Sequence, residues 1–293
     1  MFELFAQLLV TGIVVGGSYA LLAVGYTLVY GVLGFINFAH GDVAMIGAYA
    51  TLLLATGAGL PLPAATLGAM AAAALLGVGI ERVAYRPLRR AHRLAPLISA
   101  IAVSLALESA ALLLWGADIR TFRLPVTAGW QLGPFFVTGV QLVILATAIA
   151  AMVGLQLLLT RTALGKAIRA TADNLPVAAV VGVDVNRVIA AVFALGSALA
   201  ALAATLLALE ANLHPTVGIL MGLKAFAAVV LGGIGSVPGA LVGGFAIGIA
   251  ENLGVWYLPT VWKDAIAYAI LVVVLLLRPH GLFGTREAAE PKL

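Results

Sequence analysis

The chain contains no cysteine, so neither a disulfide framework nor thiol chemistry is available to it. Charge is scarce too: 10% of residues are Asp, Glu, Lys or Arg, where a soluble domain carries roughly 25%. There is no G-x-x-x-x-G-K-[ST] phosphate loop, no H-E-x-x-H pair and no G-x-S-x-G elbow. The four histidines (His40, His92, His214 and His280) are widely separated. No catalytic constellation or metal-binding spacing is therefore legible, and the chain is expected to have no catalytic site of its own. No basic n-region precedes the first apolar block, which is expected to stay in place as a span.

What is present is apolar: 63% of the 293 residues are hydrophobic, with a mean hydropathy of +1.14. That composition marks an integral membrane protein. The net charge of +4 (16 basic, 12 acidic) does not point to nucleic acid, because the basic residues cluster between apolar blocks, as cytoplasmic loops require.

A helix needs about 20 apolar residues to cross a bilayer core. The pattern predicts one long or broken helix over 5–33, where Gly12, Gly16, Gly17, Gly25 and Gly31 allow close packing or a break. Further helices are predicted over 41–56, 64–82, 96–115, 140–159, 188–209, 240–253 and 262–277, with a weaker apolar segment ending at Leu231. The result is an all-α, polytopic transmembrane helical bundle of about 8–9 membrane segments, some broken or re-entrant, forming a single domain over 1–293. Residues 116–139 are polar and placed outside. Arg82, Arg86, Arg89, Arg90 and Arg93 form one inner loop, and Arg161, Lys166, Arg169 and Arg187 belong to another over 160–187. With Arg278, Arg286 and Lys292, 12 of the 16 basic residues fall inside. Arg120, Arg123, Lys224 and Lys263 do not. A single first span places the N-terminus outside; a broken pair places it inside.

Asn37, His40 and Asp42 are the residues that stand out. From Leu4 to Ile80 the only formally charged residue is Asp42, and a carboxylate in such surroundings must be paired or wet. It can line a path or gate, or serve as the favoured carboxylate of a helix N-terminus. Asn37 can cap or line a cavity. Glu108 and Lys224 lie at membrane depth and can pair across helices or sit near the outer interface. Glu251 and Asn252 end a later helix, and Trp256, Tyr257 and Trp262 suit an outer aromatic belt.

Residues 33–41 and 231–239 share Leu, Gly, Ile and a final Gly at a constant offset of 198. Gly34 and Gly41 in one, and Gly232, Gly233, Gly235 and Gly239 in the other, are expected helix breaks. Repeated halves over about 5–93 and 210–284 would place interrupted helices as transporters do. Residues 160–187 read as a partly helical inner loop in which Asn174 and Pro176 start a second short helix. Such a loop can dock a cytoplasmic partner or lie on lipid headgroups.

Residues 31–49 are similar to the I-N-F-A-H-G-x-x-x-M-x-G-A-Y signature of branched-chain amino-acid ABC transporter permeases of the H type. Residues 164–184 resemble that family's G-x-A-x-R-A-x-A-x-N-x-x-x-A-A-x-x-G-I loop, with Val183 in place of isoleucine. The stretches 231–240 and 278–284 also fit. The resemblance implies a permease subunit of a bacterial inner-membrane importer for leucine, isoleucine and valine. Its implied partners are a homologous M-type permease, two cytoplasmic ABC ATPases that bind the ATP and magnesium, and a periplasmic binding protein. Gly165, Lys166, Arg169, Asp173, Asn174, Pro176 and Gly182 would belong to the ATPase-coupling loop. Relatives that carry urea, short amides or other amino acids are alternatives for the substrate. An ATPase-independent channel or secondary transporter is the competing class.

Overall fold

The structure, a computed structural model, describes residues 2–89, 91–92, 94–122, 129–133 and 135–284. The readings on Arg90, Arg93, Arg123, Arg286 and Lys292 lie outside the described residues.

Eleven helices are described: α1 (Phe2–Leu33), α2 (His40–Thr56), α3 (Leu62–Ile80), α4 (Leu94–Trp115), α5 (Gly139–Arg161), α6 (Ala163–Asp173), α7 (Leu175–Val180), α8 (Val185–Ala208), α9 (Val217–Gly232), α10 (Val237–Gly254) and α11 (Lys263–Leu277). Seven are long and apolar enough to cross a membrane, and α9 is a shorter apolar helix. Burial sorts them into layers. The most apolar stretch of α8 is 72% buried and that of α1 67%, against 6% for the stretch ending in α11. Thus α1 and α8 are the core posts, while α3, α4, α5 and α11 present apolar faces outward.

The first helix is unbroken, so its glycines do not interrupt it; the break comes only at Gly34, where φ is 70°. With the charge-based orientation, one unbroken span puts the start of α1 outside. Two of its glycines bring its backbone close against α10. A Cβ on Gly12 would lie 2.8 Å from the Ile249 Cα, and one on Gly16 would lie 2.9 Å from the Phe245 Cα. In return, Gly244 packs against the Ala20 backbone and Gly248 against that of Gly16. The spacing is small-x-x-x-small on both helices (Gly12, Gly16, Ala20 against Ala240, Gly244, Gly248), the pattern that lets helix backbones approach in lipid. Gly31, by contrast, meets nothing within 4 Å.

After Gly34 the chain turns back into the bundle. The His40 ring lies against Gly25 and Gly196, and Gly196 is midway along α8. From there α2 runs beside α8 in the same direction: Gly47 touches Ala201, and Thr51 shares a 2.8 Å hydrogen bond with Thr205. The α1–α2 link over 34–39 is therefore re-entrant, and α2 begins at mid-depth. The second break resembles it in sequence, and at the same offset the C-terminal ends of α2 (40–56) and α10 (237–254) coincide, with their starts one residue out of step. At this break Gly233 has φ 109° and Gly235 φ 88°. Gly232 and Gly239 lie backbone to backbone. The orphan carbonyls of Leu231 and Gly232 accept from Leu282 N and Phe283 N, each at 2.9 Å, so the segment after α11 caps α9.

The polar outer segment, read from the sequence as open to partial folding on the membrane surface, contains an antiparallel hairpin, β1 (Gly129–Leu132) with β2 (Phe135–Thr138). It hangs on α1: Gln7 donates to the Phe136 carbonyl and accepts from Phe136 N, both at 2.9 Å. Thr138 and Gln141 then form a reciprocal capping box that starts α5.

Overpacking a tight seam costs about 1–3 kcal/mol. Gly248→Leu is therefore expected to lower the thermal midpoint of the purified protein markedly, whereas Gly31→Ala leaves it unchanged or slightly raised; equal tolerance at both positions would contradict the seam.

Candidate functional site

The junction is built from main-chain need upward. Nothing helical satisfies the first amides of α2. The Asn37 side chain meets part of that need, its Oδ1 accepting from Ala39 N at 3.1 Å. The same oxygen accepts from the Tyr85 hydroxyl at 2.6 Å, which ties the link to the end of α3. Asn37 is thus a positioning group for the helix start, 5% exposed. His40 is buried, its ring 4.5 Å from the Tyr26 ring. Asp42 lies in the first turn of α2, fully buried. Ser104 of α4 donates to its Oδ2, while Oδ1 has no hydrogen-bond partner among the described residues. Gly218 and Gly41 leave the room: a Cβ at Gly218 would strike the Asp42 carboxylate.

Ser104 also lines an apolar cavity of about 190 Å³ with Tyr26, Phe38, Ile101, Ile219 and Leu223. The junction thus borders a slot between α1, α4 and α9. Glu108 is half-buried one turn further along α4. It does not pair with Lys224, which instead holds Glu251 at 3.1 Å and Asp264 at 2.6 Å.

A second polar chain lies toward the inner end. After Ile80, α3 continues as a π-helical turn over Glu81–Tyr85 and a 3-10 turn over Arg86–Leu88. Such wide turns re-aim side chains. Glu81, 1% exposed, is paired with Arg89, and Arg89 also donates to Asn186 at 2.8 Å, in the first turn of α8. Sequence reading placed Arg89 among loop charges and passed over Glu81 and Tyr85. Their spacing of four, Glu81–Tyr85–Arg89, is the helical signal that was available.

The inner loop folds as two short helices. Thr162 caps α6 through Gly165 N at 3.0 Å, Asn174 caps α7 through Val177 N at 3.0 Å, and Asp184 caps α8 through Arg187 N at 3.1 Å. Gly165 allows α6 to fold back on α5, since a Cβ there would strike the backbone of Leu158 and Leu159. Arg169 donates to the Leu159 carbonyl near the end of α5, as cations at helix C-termini do. These two residues therefore hold the loop to its own span. The outward parts are Lys166, Asp173, Asn174, Pro176 and Gly182, all exposed, with an apolar knob of Val177, Val180 and Val181; Val180 is 87% exposed.

Comparison with known proteins places this arrangement. Residues 8–275 match the family described as the permease component of branched-chain amino acid transport systems. The chain belongs to this permease family. It is 43% identical to the high-affinity branched-chain amino acid transport system permease protein BraD of Pseudomonas aeruginosa, over 98% of each chain. It is 42% identical to the permease protein LivH of Escherichia coli, covering 99% of this chain and 98% of that one. A probable branched-chain amino acid transport permease of Methanocaldococcus jannaschii is 31% identical, over 93% of this chain and 90% of that one. Among solved structures, PsaBC from Streptococcus pneumoniae in complex with Fab has the same fold, with a TM-score of 0.54 at 14% identity, over 94% of this chain and 92% of that one. The protein is thus a multi-pass membrane permease subunit of the ABC type.

Removing the Asn37 side chain strands Ala39 N and the Tyr85 hydroxyl, at about 1–3 kcal/mol for buried unpaired groups. Asn37→Ala is expected to lower the thermal midpoint clearly, Tyr85→Phe less, and the double variant by less than their sum. Asn37→Ala that stays fully stable but abolishes uptake would instead make Asn37 a path residue.

Proposed function

We propose that this chain is the H-type permease subunit of an ATP-driven importer of leucine, isoleucine and valine in the bacterial inner membrane. Its partners in this reading are a homologous M-type permease, two cytoplasmic ABC ATPases carrying ATP and magnesium, and a periplasmic binding protein. The observation that carries the reading is the exposed apolar knob of α7. An exposed valine cluster on an inner loop is costly in water and suits a partner's groove.

The mechanism follows from what α7 is attached to. Closure of the ATPases on ATP displaces α6 and α7. Asn186 opens α8 just after α7, and Arg89 joins it to Glu81. Tyr85, on the same π-helical turn, holds Asn37. The movement reaches the start of α2 along this polar chain, and the slot beside Ser104 is bounded by helices that shift with it. Gly34, Gly41, Gly232, Gly233, Gly235 and Gly239 serve as the bending and close-approach points. Alternating exposure then needs only small sliding of packed helices. His40, Asp42 and Glu108 border the path in this reading, with Asp42 shaping the helix start that forms its wall.

Val180→Asp puts a charge into the proposed contact while leaving the buried side of the loop untouched. The assembled complex is expected to lose about tenfold or more of its substrate-stimulated ATPase activity, a charge in an apolar contact costing over 1.4 kcal/mol. Unchanged stimulation removes α7 from the contact, and leucine uptake by this chain alone without ATP overturns the importer reading.

A further inference from the structure

A cavity of about 340 Å³ opens between the outer ends of α1, α8, α10 and α11, away from the slot at Ser104. That volume falls in the range of small-molecule sites, about 300–1,000 Å³. Its wall includes Val14, Val15, Ile144, Leu206 and Leu207. Polar groups converge on the other side. Lys224 Nζ donates to Asp264 Oδ1 at 2.6 Å, Glu251 Oε2 at 3.2 Å and the Tyr19 hydroxyl at 3.2 Å. Tyr19 in turn donates to Glu251 Oε2 at 3.1 Å. The buried Glu251 and the 46% exposed Asp264 thus share one largely buried lysine, and Glu210 also lines the cavity, so negative charge is in excess there. Lys263 is the opposite case: its Nζ donates to the neutral Asn252 Oδ1 at 2.9 Å, and no carboxylate lies within ion-pair distance of it among the described residues. Ser18, 1% exposed, lines the same cavity, and its hydroxyl has no partner among the described residues.

We infer that this cavity is an amino-acid subsite inside the permease subunit, taking a free zwitterionic α-amino acid with an aliphatic side chain. The inference rests on the reading of the chain as an amino-acid permease subunit and adds a binding site that lies within one subunit. The ligand ammonium is taken at the carboxylates of Glu251 and Asp264, where negative charge exceeds positive. The ligand carboxylate is taken by Lys263, which keeps two of its three donors beyond the one given to Asn252, and by the Ser18 hydroxyl, which has no partner among the described residues. The aliphatic side chain fits the wall of Val14, Val15 and Leu206. A ligand carrying one charge of each sign satisfies both ends, whereas a simple anion or cation leaves one end uncompensated at low dielectric. The cavity lies among the outer helix ends, so it receives solute before the slot beside the junction does.

The test uses the whole complex of this chain, its partner permease and the ATPases, in lipid nanodiscs without binding protein, with tritiated leucine as the probe. Saturable binding is expected. The corresponding keto acid, lacking the ammonium, and the corresponding amine, lacking the carboxylate, should both fail to displace it at concentrations where leucine does. Lys263→Gln should weaken binding about tenfold, as loss of one charge-assisted contact implies, and Lys263→Arg should restore most of it. Val15→Phe, which fills the cavity from a half-buried wall position, should abolish it while the complex remains assembled. Binding-protein-driven uptake is measured on the same preparations. No saturable binding in a complex that still imports leucine overturns the subsite and leaves the transport reading standing. Displacement by the keto acid or amine as strong as by leucine overturns it as well. Saturable leucine binding in a complex that imports no leucine supports the subsite and overturns the transport reading.

Discussion

The structure depends on helix backbones coming closer than any side chain allows. In lipid no hydrophobic force drives one apolar helix against another, so contact area and close approach must do the joining. Here the joining is done by missing Cβ atoms. Gly12 and Gly16 meet Gly244 and Gly248 between α1 and α10, Gly41 meets Gly218 and Gly222 between α2 and α9, and Gly232 meets Gly239 where α9 turns into α10. Each pair fixes a crossing, and together they set the depth at which the two broken segments lie.

That depth gives the polar residues their work. Because α2 starts in the middle of the bundle, its first amides and Asp42 cannot rely on bulk water. Asn37, Tyr85 and Ser104 serve them instead. The arrangement has a consequence for transmission. Tyr85 shares its wide helical turn with Glu81, and Glu81 holds the arginine that reaches α8. Glu81, Tyr85 and Asn37 are buried, so a broken member among them leaves an unpaired polar group in a dry interior, whereas the Arg89–Asn186 bond that completes the chain is exposed. In the proposed mechanism the chain moves as a unit, linking α7 to the start of α2.

Much of this was legible in the sequence. Apolar run lengths located most spans to within a few residues, and the Asn174–Pro176 signal located α7. Of the expected glycine breaks, Gly34, Gly233 and Gly235 lie between helices with positive φ, whereas Gly41 and Gly239 lie in the first turns of α2 and α10. What was not legible is tertiary. Periodicity could not separate packing glycines from breaking ones in α1, because Gly12 and Gly31 look alike until a partner helix is placed beside one of them. Lys224 offered no hint of its partners, since Glu251 and Asp264 lie on other helices. Gly165 and Arg169 belonged to a docking motif by resemblance, and their contacts are with α5; the outward surface adds to Lys166, Asp173, Asn174, Pro176 and Gly182 a knob of valines that no charge pattern marks. The hairpin over residues 129–138 was hidden because four-residue strands leave almost no alternating signal.

The absence of cysteine makes the central claim directly measurable, since single cysteine pairs can be spin-labelled without background. Val83 on the π-helical turn and Val180 on α7 are both exposed, and a third label at Tyr257 marks the outer end of the bundle. In the assembled complex, distances are compared between the nucleotide-free and ATP-trapped states by pulsed electron paramagnetic resonance. The account predicts that the Val83–Val180 distance stays constant while both move relative to Tyr257. A Val83–Val180 distance that changes as much as the Val180–Tyr257 distance, with Val83 fixed relative to Tyr257, would contradict it.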